Sequence, residues 1–145
     1  LCRADHSRKP AFFAFKNLME LFRDQGAAMT PYTPIPLDYT IHGNMEDVTQ
    51  ALFQKSDGTY LLCLWLSKRS WSKPDDEILV HDDRRLRVDF ASEWKQAEVY
   101  RPAPAPIGNG LTPILQEKDN DTLTLNVNDQ VTVVRLTPAS AAPPK

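Results

Sequence analysis

Tyr60–Leu66 (YLLCLWL) restricts the possible folds more than any other stretch of this chain. A half-buried strand alternates apolar and polar residues, and a surface helix repeats every three to four; this run is apolar at nearly every position. Seven residues are far short of the roughly 20 that a membrane span requires. The run therefore reads as a β-strand buried on both faces, which places it in the interior of a sheet and not at its edge. Asp57-Gly58 stands just before it, after a second strand-like run, Val48–Lys55. Together they predict a hairpin closed by a two-residue turn.

The rest of the chain fits the same pattern. Leu37–His42 is strand-like, and the polar stretch Ser67–Asp76, with Trp71 and Pro74, is expected as a loop. Glu77–His81 is a short candidate strand that turns at Asp82-Asp83 into Arg85–Phe90, where Leu86, Val88 and Phe90 alternate with charged residues. Gln96–Arg101 alternates through Ala97 and Val99, and a Pro/Gly-rich stretch runs from Pro102 to Pro113. The last pair, Thr122–Val127 and Val131–Thr137, is joined by Asn128-Asp129, with Leu123, Leu125 and Val127 on one face. Seven or eight short strands without intervening helices predict a mainly β fold, an antiparallel β-sandwich.

One amphipathic α-helix precedes it, at about Pro10 to Asp24. Ala11, Phe12, Phe15, Leu18, Met19 and Phe22 form its apolar stripe. Ser7 is the expected N-cap, Pro10 suits a first turn, and Gly26 suits the exit. Pro31, Pro34 and Pro36 predict an extended connection. The expected division is a helical segment over 1–29, the sandwich over 30–138 and a tail over 139–145.

Composition narrows the function classes. The 145 residues fit one compact domain plus a short appendage, and 25% charged with 41% hydrophobic residues is an ordinary globular balance. A formal net charge of −2, with Lys and Arg scattered, supplies no basic face for nucleic acid or anionic lipid. Neither nucleic acid nor membrane is expected as a partner, and no signal-peptide layout opens the chain. Leu rather than Met at position 1 suggests a processed, excised or incomplete chain. Cys63 reads as a buried free thiol, since nothing in the sequence brings Cys2 within bridging distance. The compartment is left open by the cysteines.

The segment Asp5-His6-Ser7-Arg8-Lys9-Pro10-Ala11-Phe12, continuing to Asn17-Leu18, resembles the opening of the last barrel helix in TIM-barrel glycoside hydrolases. The likeness is to the cellulase-like and xylosidase/iduronidase-like families, in which such a helix often leads into a C-terminal β-sandwich. Gln54–Tyr60 with Leu64-Trp65, and Val99-Tyr100-Arg101-Pro102, also resemble that sandwich. His6 stands where the family turn usually has Gly. A histidine tolerates positive φ less well, so the turn is expected to differ there. The resemblance implies a non-catalytic accessory domain whose partner is the preceding catalytic barrel of the same polypeptide. It also favours an extracellular or periplasmic setting. It carries over no catalytic residue, because the family's glutamates lie at barrel strand ends, ahead of this segment.

Other constellations are sparse. The carboxylates of Asp75-Asp76-Glu77, Asp82-Asp83 and Asp119–Asp121 fall in turn-like stretches, as solvated charge does, and their spacing matches no EF-hand loop. His6, His42 and His81 lie far apart, with no zinc-ligand spacing, and no metal or cofactor is expected. No Gly-x-Ser-x-Gly elbow is present, and Gly108-Asn109-Gly110 reads as a turn. An alternative function is a carbohydrate-binding module, holding a polysaccharide through exposed aromatic rings. Trp71 in its polar loop is the first candidate, with Trp94 and Tyr100 behind it, while Trp65 belongs to the core.

Overall fold

The structure is a computed structural model that describes residues 3–24, 33–73, 76–103 and 110–139. Cys2, Gly26, Pro31, Pro74, the Gly108-Asn109 pair and nearly all of the expected tail lie outside the described residues.

Helix α1 spans Pro10–Phe22, with Pro10 in its first turn, where a missing N–H costs nothing. Lys9 occupies the N-cap position and makes no side-chain cap. Ser7 is thus not the cap. Its N and Oγ donate to Asp5 Oδ1 at 2.9 and 2.6 Å, which commits the side chain to the preceding turn.

The strands are β1 (Tyr39–His42), β2 (Val48–Gln54), β3 (Tyr60–Leu66), β4 (Trp71–Ser72), β5 (Glu77–Ile78), β6 (Arg84–Tyr100), β7 (Leu115–Glu117), β8 (Asn120–Val127) and β9 (Thr132–Pro138). Seven form one antiparallel sheet in the order β1–β6–β9–β3–β2, with β7 and β8 also paired to β6; β4 and β5 make a separate ribbon. The expected loop over Ser67–Asp76 therefore contains half of a ribbon, and β7 adds a strand to those expected.

Strand β6 organises the molecule. Arg85–Phe90 and Gln96–Arg101, expected as two strands, belong to one strand of 17 residues. Its first half pairs with β1 and β8, its second with β9 and β7, and the register shifts on either side of Trp94. Such irregularities let a strand bend sharply and pass between layers. The two ends of β6 come back together: Arg101 just beyond its end reaches Asp83 just before its start, at 3.2 Å. The sheet is thereby folded over into two layers, one of β1, β8 and the first half of β6, the other of β2, β3, β9, β7 and the second half.

The core lies between these layers. Leu86, Val88, Leu123 and Val127 on one side meet Leu62, Leu64, Val134 and Leu136 on the other, all essentially inaccessible. Tyr39 in β1 donates its hydroxyl to Gln50 Oε1 in β2 at 3.0 Å, bridging the edges of the two layers. As the sequence predicts, β3 is interior, between β9 and β2. Its even-numbered residues enter the core, while Leu61 and Cys63 are buried on the opposite face beneath α1.

Two turn expectations change. The β2–β3 loop has three residues, not two: Gly58 N donates to Lys55 O at 3.0 Å, and Lys55 N to Thr59 O at 2.8 Å. Gly58 at φ +83° takes the left-handed position that this bulged turn needs, so glycine supplies the turn but shifts its length. Asn128-Asp129 closes no hairpin either, because β8 pairs with β6 while β9 pairs with β3 and β6. That connection crosses between layers, pinned where Leu66 N donates to Asn128 O at 2.7 Å.

Candidate functional site

The face of α1 turned to the sandwich carries Asn17, Leu18, Leu21 and Phe22. Leu21 packs with Leu61, Cys63, Tyr100 and Val133, flanked by Leu18 and Phe22. A buried amide must find partners, and Asn17 does so: its Nδ2 donates to Pro102 O at 3.0 Å. Gly110 completes this latch. A Cβ there would lie 2.3 Å from Asn17 Nδ2 and 2.5 Å from Pro102 O, so only glycine lets the three segments meet. Two stretches 85 residues apart are thus tied by one hydrogen bond, Asn17-Leu18 and Val99–Pro102.

Docking consumes only part of the apolar stripe. A helix turns 100° per residue, which sets Phe15 and Met19 roughly 100° or more away from the Asn17–Leu21 face. Both are 55% exposed. Phe22 lies at the border and meets Phe53 of β2 edge-on, ring centroids 4.9 Å apart, with Phe53 itself exposed. Phe15, Met19, Phe22 and Phe53 therefore form an apolar strip running from the helix onto the sheet edge. Near the helix start, the Arg8 guanidinium sits 4.5 Å from the centroid of the Phe12 ring.

Beside the latch, the outer face of the second layer holds a polar group. Glu98 is buried and accepts from Arg135 Nε at 2.7 Å and Gln116 Nε2 at 3.1 Å. The Arg135 guanidinium lies 5.2 Å from the Tyr100 ring centroid. Burial pushes the Tyr100 hydroxyl up to about 12; Arg135 opposes that shift and Glu98 adds to it. Every member has a partner, the condition under which a buried ion pair is tolerated. The arrangement reads as a fixed strut, with no free group poised for proton transfer.

The three candidate aromatics are not brought together. Trp94 is 5% and Tyr100 3% exposed, so neither ring offers a face to solvent. Trp94 packs edge-on against Tyr60 and Phe90 in the core, and Tyr100 lies under α1. Trp71 is 43% exposed on the β4–β5 ribbon, across from Ile78, which is also exposed. Trp65, assigned to the core from sequence, is half-buried at the edge of the helix-covered cluster. Among the described residues no three His, Cys, Asp or Glu side chains are grouped as a metal would require. No helix among them is long and apolar enough to cross a membrane. What sequence reasoning missed is the Asn17–Pro102–Gly110 latch; the isolated Asn within an apolar helical stripe was its one visible trace.

No family model matches the chain, and no curated protein matches it.

Proposed function

We propose that this chain is a non-catalytic accessory β-sandwich of a glycoside hydrolase, which packs on the catalytic barrel and stabilises it. One observation carries the reading: α1 is latched to the sandwich on one face and presents Phe15 and Met19 on another, with Phe22 at the border against the exposed Phe53 of β2. A helix shared between two domains would show this division. The resemblance of Asp5–Leu18 to a final barrel helix supplies the partner, a barrel preceding α1 in the same polypeptide. Domain interfaces within a chain bury apolar strips of this kind. No catalytic carboxylate pair is assigned to this chain, and hydrolysis is attributed to the barrel.

The test is to read the coding sequence upstream of Leu1, then to produce that segment separately and measure its binding to this chain. Binding weakened at least tenfold by Phe15→Ser with Met19→Ser supports the proposal. An upstream sequence without a βα repeat, or binding indifferent to both changes, overturns it. A second reading, the carbohydrate-binding module, is favoured only by Trp71, whose exposed ring stands on the separate β4–β5 ribbon. Retention on an insoluble polysaccharide that is lost in Trp71→Ala would establish it.

A further inference from the structure

Where the two ends of β6 meet, a groove of about 500 Å³ opens to solvent. Its polar side is formed by Arg85, Arg101, Asp83, Thr124 and Asn126, and its apolar side includes Ile114 and Leu115. Both arginines converge on Asn126. Arg85 is its register partner across β6 and β8, and Arg101 donates to its backbone oxygen at 3.2 Å. Asp83 is already engaged, with Oδ2 on Arg101 at 3.2 Å and Oδ1 receiving Asn128 Nδ2 at 2.9 Å. It neutralises one of the two cations. The exposed side chain of Arg85 has no hydrogen-bond or salt-bridge partner among the described residues, and Arg101 Nε is buried without one. Ile114 is an exposed apolar side chain on the rim.

These features select a ligand class. One uncompensated guanidinium next to an unsatisfied N–H favours a single negative charge, and planar guanidinium forks match carboxylate geometry. A dianion would ask for more cationic charge than the groove retains, and a bare inorganic ion would leave the apolar side unused. A cation is disfavoured because both Asp83 oxygens are taken. We propose that the groove binds a small organic carboxylate, with Arg85 and Arg101 holding the carboxylate and Ile114 and Leu115 covering the CH-rich body. A hexuronic acid and a short aliphatic acid share this chemistry.

The experiment is a ¹H–¹⁵N titration of the full chain with glucuronate, hexanoate, glucose and sulfate in parallel. Saturable shifts at Arg85, Asn126 and Ile114 with either carboxylate, and none with glucose, are expected. Glucuronate alone would point to an acidic sugar, hexanoate alone to an aliphatic acid, and either supports the proposal. Arg85→Gln removes an exposed, unpartnered side chain and should preserve the fold while weakening binding about tenfold or more. Ile114→Ser should weaken hexanoate more than glucuronate. No shifts with either carboxylate at millimolar concentration, equal binding of sulfate, or an Arg85→Gln variant that binds unchanged would each overturn it. No residue of the helix strip takes part, so failure here leaves the accessory-domain reading standing.

Discussion

At His6 the backbone sits at φ +64°, the left-handed region that favours glycine. The resemblance to a turn that usually has Gly at this position implied that histidine would alter it; here the histidine itself adopts the left-handed conformation. Neighbouring bonds hold it there: Arg3 N donates to Ser7 O at 2.8 Å, His6 N to Arg3 O at 3.1 Å, and Asp5 accepts from Ser7. A non-glycine residue pays about 1–2 kcal/mol for this conformation, partly offset in glycine by greater freedom of the unfolded chain. His6→Gly is therefore expected to stabilise the fold by up to about 1 kcal/mol in urea denaturation. A loss of stability would show that the imidazole contributes more than the strain costs. Two buried acids act at the other end of the pH scale. Burial pushes the Cys63 thiol from 9.0 up to about 11, and the Tyr100 hydroxyl from 10.0 up to about 12. Both are neutral when protonated, so the folded state holds its protons to higher pH than the unfolded state. Their contribution is complete below about pH 9 and lost progressively as pH rises through 11 and 12. Urea midpoints should fall across that window, and Cys63→Val should flatten its lower part; an unchanged profile in the variant would remove Cys63 as a cause.

Among the elements, legibility depended on whether burial was written into local composition. Strand β3 could be read because both of its faces are apolar, and both are covered, one by the opposite layer and one by α1. Strand β6 could not be read as one piece. Ala91, Ser92 and Glu93 are exposed at its bend and look like a loop, although their backbone remains extended. That bend also explains the aromatic candidates. Trp94 keeps the even-numbered parity of Leu86, Val88 and Phe90, and the register shift between Trp94 and Gln96 then turns Ala97 and Val99 into the same core. Tyr100 keeps its outward parity and is buried because a helix from the far end of the sequence covers that face. Turn residues announced a reversal at Asn128-Asp129 without saying which strands it joined. The latch under α1 yields a prediction at this scale. Gly110→Ala forces Asn17 or Pro102 to move, at about 1–3 kcal/mol. Asn17→Ala, which removes one buried hydrogen bond, costs about 1 kcal/mol. Because Cys63 lies in the helix-covered cluster, its reaction with a thiol reagent reports docking. Both variants should react faster than the parent chain under native conditions; reaction at the parental rate would mean the helix stays seated without the latch.

At the scale of the whole molecule, α1 and β2 carry apolar side chains that the two layers leave exposed among the described residues. The inter-layer core is buried, whereas the Phe15–Met19–Phe22–Phe53 strip continues from the helix onto β2, an edge strand among the described residues. An edge presents unpaired backbone groups, and an apolar strip alongside it invites association between chains. The chain by itself should therefore self-associate as its concentration rises, with an average mass by sedimentation or light scattering that exceeds 16.4 kDa. Phe15→Ser with Met19→Ser should shift that distribution back to the monomer. Those two side chains are more than half exposed, so the pair should change folding stability by no more than about 0.5 kcal/mol each. Leu21→Ser serves as the contrast. Leu21 is buried against Leu61 and Val133, so its removal should destabilise by about 2–5 kcal/mol and leave the outer strip in place. Solubility and stability would then separate: the outer substitutions act on the first and the inner one on the second. If the parent chain is monomeric at high concentration, or if the outer pair destabilises as much as Leu21→Ser, then α1 belongs wholly to the sandwich and its outer face has no partner to find.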